Sequence, residues 1–134
     1  MESFDTAMVS ASNYKINNEE PAERIKMKAL SLHQPWATMI AQGSKTIETR
    51  NWYTQYRGDL LIVSTKKPQI KGLLCGFGLC IVEVIDCRPM TVDDERYARC
   101  PWKLGLYSWV LDDIRKIKPF RVRGHQGLYE VEIE

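Results

Sequence analysis

The densest grouping of side chains able to do chemistry in this 134-residue chain is Lys45, Glu48 and Arg50. If residues 47–50 are extended, Glu48 and Arg50 point to one face and Lys45 enters from the preceding turn. Two cations flanking one carboxylate can hold a phosphate while the carboxylate orients them or accepts a bond from a base amine. The same three residues would also serve as an ion-pair knot anchoring the first helix to a sheet. Next to them, Trp52, Tyr53, Tyr56 and Arg57 form an aromatic and basic loop. Exposed aromatics beside arginine suit stacking on unpaired bases, worth roughly 1–3 kcal/mol per base; a Trp52 buried as a plug at one end of the core is the alternative. Gln34 stands at the turn into the first helix, where helix amides, Gln34 and Lys45 could form one wall of an anion pocket. Trp36 is expected in the core, since it heads an apolar face with Met39 and Ile40. Gly124-His125-Gln126-Gly127 reads as a tight turn with a solvated histidine.

Other chemistry finds less to work with. The four cysteines, at 75, 80, 87 and 100, form no C-x-x-C pair and lie far in sequence from His33 and His125. No metal site is expected from such spacing, and all four read as structural thiols. The binding reading requires no cofactor. If the chain is an enzyme, which its sequence leaves open, Lys45 and Glu48 are the candidate acid–base pair.

The elements that must position these groups follow from pattern. Lys28–Leu32 reads as a first strand, with Pro35 at the first turn of a helix and Gly43 just beyond its end. Residues 47–51, 60–65 and 76–86 read as strands, the last with Gly76 and Gly78 marking a bulge or close backbone approach. Thr91 is placed to cap a short helix. Residues 107–111, 120–122 and 128–133 read as closing strands, the last alternating clearly. Six or seven short strands with two or three short helices make an α+β fold, a small mixed β-barrel or curled sheet. Residues 1–26, rich in Ser, Asn and Glu without apolar period, read as a peripheral leader before a domain at 27–134.

Composition bounds the answer. With 44% apolar, 10% aromatic and 27% charged residues the chain has the profile of one ordinary soluble domain, unlike a disordered one. Its longest apolar runs are far short of the ~20 residues of a membrane helix, and residues 1–16 show no signal-peptide pattern. A cytoplasmic location, with no membrane partner, is the expectation. The net charge of +2 is unevenly spread, at −2 for residues 1–27, +5 for 28–71 and −1 for 72–134. Arg115, Lys116, Lys118, Arg121 and Arg123 form a further basic run without an acid. Two basic segments sharing one face would suit a polyanionic partner.

Read with their flanks, the motifs resemble a known family. Ala29-Leu-Ser-Leu-His-Gln-Pro-Trp-Ala37 is followed by Gly43, Lys45, Glu48 and Arg50 in a G-x-K-x-x-E-x-R run, then Asn51-Trp52 and Tyr56-Arg57-Gly58. Downstream come Tyr107-Ser-Trp109, Lys118-Pro-Phe120 and Gly124-His-Gln-Gly-Leu128. Together they resemble the ASCH (activating signal cointegrator homology) family over roughly residues 28–134, in the manner of its small stand-alone bacterial members. The resemblance implies a PUA-like (pseudouridine-synthase-and-archaeosine-transglycosylase-like) β-barrel, similar to modules that bind RNA. Some members are hydrolases of acetylated cytidine nucleosides and others ribonucleases. This chain departs from the former. Where they carry a threonine nucleophile it has Glu48, with Thr46 and Thr49 out of register, and Asp93, Asp94 and Glu95 match their later glutamate only loosely. A metal-assisted ribonuclease would draw on Glu48 with Glu83 or Asp86. The expectation is therefore a module binding RNA or other single-stranded nucleic acid through Gln34, Lys45, Glu48, Arg50, Trp52, Tyr56 and Arg57. A hydrolase of a modified nucleoside or of RNA is the alternative, and a protein-interaction module the third.

Overall fold

A computed structural model describes residues 25–133; the leader expected over residues 1–26 lies outside the described residues except for its last two. Six strands form one mixed sheet: β1 (Ile25–Leu32), β2 (Ile47–Arg50), β3 (Gly58–Ser64), β4 (Phe77–Pro89), β5 (Tyr107–Arg121) and β6 (Tyr129–Ile133). Two short helices, α1 (Trp36–Ala41) and α2 (Glu95–Ala98), join them, the second preceded by a single 3₁₀ turn at Val92–Asp94. The strand order is β2-β5-β4-β3-β1-β6. β1 runs parallel to β3, with Leu30 opposite Ile62, and antiparallel to β6, with Ile25 opposite Ile133. Among the described residues no ladder joins β2 to β6, so the sheet is curled but open where a closed barrel is expected.

Burial on both faces explains the unbroken Leu60-Leu61-Ile62-Val63 run of β3. Leu60 and Ile62 pack with Leu30, Val82, Val84, Trp109 and the α1 residues Ala37 and Ile40. Leu61 and Val63 face the other way, against Ala29 and Ile81 and under Phe120, Val122 and Tyr129.

The long β4–β5 ladder bends the sheet through three irregularities. Opposite Ile81–Glu83, β5 spends an extra residue around Asp113, whose φ is +51°. Opposite Gly78–Cys80 it spends two more around Pro119, a residue without an N–H and so suited to a gap in pairing. Strands expected separately at 107–111 and 120–122 are thus the two halves of β5. Gly78 permits the bend, since a Cβ there would lie 3.1 Å from the Phe120 ring.

The connection from β4 to β5 is folded around Asp94. This buried carboxylate accepts two bonds from Arg88, at 2.7 and 3.0 Å, one from the Thr91 amide and one from the Ser108 hydroxyl. The Arg88 bonds, aided by the other two donors, hold its carboxyl well below the usual carboxylate range.

Candidate functional site

Gln34 sets the position of α1. It is buried, and its Oε1 accepts the Thr38 amide at 2.9 Å while its Nε2 donates to Thr38 Oγ1 and to the Leu74 carbonyl, both at 2.7 Å. Gly43, at φ +83°, ends the helix, and the following amide of Ser44 returns to the Met39 carbonyl at 3.0 Å. That reversal delivers Lys45 inward. Only 3% exposed, its ammonium donates to the Ala98 carbonyl at 2.5 Å and stands 3.5 Å from Glu48 Oε1. The Asp94-centred connection therefore supplies the acceptor that holds Lys45.

Glu48 lies on β2 opposite Trp109 of β5. Its second oxygen accepts from Arg50 Nε at 3.0 Å, and Arg50 Nη2 donates to the Ser31 carbonyl of β1 at 2.7 Å. One carboxylate thus bridges two cations, and the arginine fork ties edge strand β2 to β1 across the curl of the sheet. The triad is thus an ion-pair network that ties β2 to β1 and to the β4–β5 connection.

Glu48 and Arg50 line a cleft of about 680 Å³, with Thr49, Asn51, Trp52, Trp36 and His33 on its walls and the 125–127 turn closing one side. Lys45 lies behind this wall, 5.6 Å from the centroid of the Trp36 ring. Trp36 is 38% exposed, contrary to the expected core packing. The core-facing stripe of α1 is instead buried Ala37 and Ile40 with half-buried Ala41, the same i, i+3, i+4 spacing moved by one residue. Trp52 is half-buried: it stacks edge-on against buried Trp109 at 4.9 Å and borders the cleft.

Three residues expected beside them are set elsewhere. Gln34 is committed to holding α1. Tyr56 turns its hydroxyl back to the Asp59 carbonyl, and burial, with Asp59 nearby, raises the pKa of its phenol. Arg57 donates to the carbonyls of Thr54 and Tyr56 and faces Asp86 at 3.7 Å. None of the three lines the cleft.

The carboxylates considered for hydrolytic chemistry also lie apart. Asp94 is clamped by Arg88, Glu95 accepts the Trp102 amide, and Asp86 sits between Arg57 and Arg88; among the described residues Glu48 is the one acidic group lining the cleft. Among the described residues no three His, Cys, Asp or Glu side chains are grouped to hold a metal ion. Cys75, Cys80 and Cys87 are buried free thiols, and burial pushes that of Cys80 up to about 12. Of the wall residues, His33, Thr49 and Asn51 were not among those expected to bind and Trp36 was assigned to the core; the competing Ala37, Ile40, Ala41 frame was the signal for the tryptophan.

Comparison with known proteins follows the same residues. The ASCH domain model matches residues 30–132. Activating signal cointegrator 1 from Homo sapiens is 55% identical over 40 residues, and that from Mus musculus 53% over 38. These matches span 29% and 28% of this chain but only 7% and 6% of those much longer proteins. Crystal structures of ASCH from Zymomonas mobilis superpose with TM-scores of 0.57 for the wild type and 0.56 for a point mutant, each at 16% identity over 72% of this chain. They cover 73% and 76% of the respective Zymomonas chains and share the α+β architecture. No helix among the described residues is long and apolar enough to cross a membrane. On a match spanning more than half its length, this chain belongs to the ASCH domain family.

Proposed function

We propose that the domain binds single-stranded RNA in the cleft between α1, β2 and the 125–127 turn. The observation that carries this reading is the pairing of a fixed Glu48–Arg50 floor with two indole walls, Trp36 and Trp52. Both side chains of the floor are held before any ligand arrives, so binding need not spend ordering entropy on them. With Lys45 behind it, the Glu48–Arg50 floor stands in a group of two cations and one carboxylate, a net positive charge that favours phosphate or an electron-rich base edge. The partly exposed Trp36 face offers a stacking surface. Lys45 acts on the ligand only through Glu48, as a positioning residue. Its ammonium is turned to Ala98 and away from the cleft, so acid–base chemistry in the cleft would fall to Glu48 alone. The PUA-like likeness supports a nucleic-acid ligand in the same way.

The test is fluorescence anisotropy of a labelled single-stranded RNA across a salt series, using the full chain, Trp36→Ala and Arg50→Ala. Wild-type affinity should fall with salt. Trp36→Ala should weaken binding by roughly 5- to 150-fold, the range of one lost base stack. Unchanged affinity in both variants would overturn the cleft assignment, and shortened RNA on a gel would replace binding by cleavage as the activity.

A further inference from the structure

The cleft does not end at the 125–127 turn. Ser31, Thr65, His125 and Gln126 form a shared sill, and beyond it lies a second hollow of about 720 Å³ lined by Lys66, Arg121 and Arg123. Among the described residues no Asp or Glu lines this hollow. The cations come from both basic segments of the sequence, Lys66 from the loop after β3 and the two arginines from the end of β5. The fold therefore brings the two segments to one face. Elsewhere Arg57, Arg88 and Arg115 each meet a carboxylate, at 3.7, 2.7 and 2.6 Å. Among the described residues Lys66, Arg121 and Arg123 meet none.

The hollow is also built. The Arg121 guanidinium lies over the Phe77 ring at 5.0 Å, which orients it without neutralising it. Ser31 and Tyr129 share a 2.6 Å hydrogen bond beneath the sill, and the His125 ring stands edge-on to Tyr129 at 5.2 Å. Three like charges around one concavity repel one another, and an anion seated among them removes that cost.

We propose that this hollow is a backbone-phosphate subsite. Arg121, Arg123 and Lys66 hold the phosphate neighbouring the nucleotide that occupies the Glu48–Arg50 cleft. The inference rests on the cleft reading and sharpens it: the ligand is an internal stretch of a polynucleotide crossing the sill, rather than a free nucleoside.

The experiment compares 5′-fluorescein hexauridylate, followed by anisotropy over a salt series, with uridine, followed by NMR titration. Both ligands are tested on the full chain, on Arg121→Ala/Arg123→Ala and, separately, on Lys66→Glu. Each altered residue is exposed, so the variants are expected to fold, and the Lys66 change probes the hollow from its opposite wall. The double variant should bind hexauridylate about tenfold more weakly, and its log–log salt slope should become shallower by about 1.4, at ~0.7 per lost single-strand contact. Lys66→Glu should weaken hexauridylate in the same direction, with the uridine titration unchanged in both. Hexauridylate binding at wild-type affinity and slope in both variants would overturn the subsite while leaving the cleft standing. Failure of the unaltered chain to bind either ligand would overturn the cleft reading and the subsite with it.

Discussion

Replacing Lys45 by Met keeps most of the stem volume and removes the charge. The ammonium is 3% exposed and serves two acceptors, the Ala98 carbonyl at 2.5 Å and Glu48 at 3.5 Å. Removing one partner of a buried ion pair costs about 3–5 kcal/mol, much of it from the charge left behind. Here Glu48 keeps Arg50 at 3.0 Å and borders the cleft, so the lower end, about 3 kcal/mol, is expected. For a chain of this size that lowers the melting midpoint by about 10 °C. The reference is Arg115→Ala, whose pair with Asp59 is short, at 2.6 Å, but has side chains 40% and 48% exposed; its loss should cost under ~1 kcal/mol. Urea unfolding followed by tryptophan fluorescence and far-UV circular dichroism measures both. Adding Glu48→Gln completes a cycle that should show coupling of about 1–2 kcal/mol between positions 45 and 48. If Lys45→Met costs no more than Arg115→Ala, the lysine is not committed to the fold and the division of roles within the triad is wrong.

Two further predictions concern the scaffold. Asp94→Asn should cost about 2 kcal/mol near neutral pH through the loss of charged hydrogen bonds. The folded-state pKa of Asp94 is lowered by Arg88, so the contribution is complete above an unfolded value of about 3.9 and fades as pH falls through the folded value. The gap between wild type and Asp94→Asn should therefore narrow in acid below about pH 4, and a gap constant down to about pH 2 would contradict this assignment. Gly78→Ala places a methyl 3.1 Å from Phe120 and 3.4 Å from Leu61, and should cost about 1–2 kcal/mol by overpacking. Shrinking the ring with Phe120→Leu should recover part of that loss, which thermal melts of the single and double variants measure.

Local pattern in the sequence was strong enough to reveal β1, β3 and β6, because each is short and its apolar residues follow one period or one unbroken run. It failed across the middle of β5. Asp112-Asp113-Ile114-Arg115-Lys116 is too polar to read as a strand, yet it is held there by pairing with β4, a partner far away in the chain. The site divides in the same way. Spacing alone placed Glu48 and Arg50 on one face, since residues two apart along a strand share a side. It could not tell that Gln34 donates to the Leu74 carbonyl, or that Arg57 faces Asp86, because those partners are set by tertiary contacts. The basic run was visible, but its division was not: Arg115 goes to Asp59, while Arg121 and Arg123 reach the second hollow only after the bend around Pro119.

The pairing of β1 with β6 has a consequence for how such a unit joins other proteins. Ile25 and Ile133 are register partners, so the polypeptide enters and leaves the sheet through one doorway about 5 Å wide. A host protein could accept this unit within a surface loop, because the two host ends need separate by no more than a strand's breadth. By the same geometry a short linker could join Ile133 to Ile25 and new ends be cut at exposed Gly72, giving a circular permutant of residues 25–133 with the same sheet and cleft. The fold is thus graftable: Ile25 and Ile133 meet at the β1–β6 edge of the sheet, at the end of β1 opposite to Ser31 and Leu32, which line the cleft.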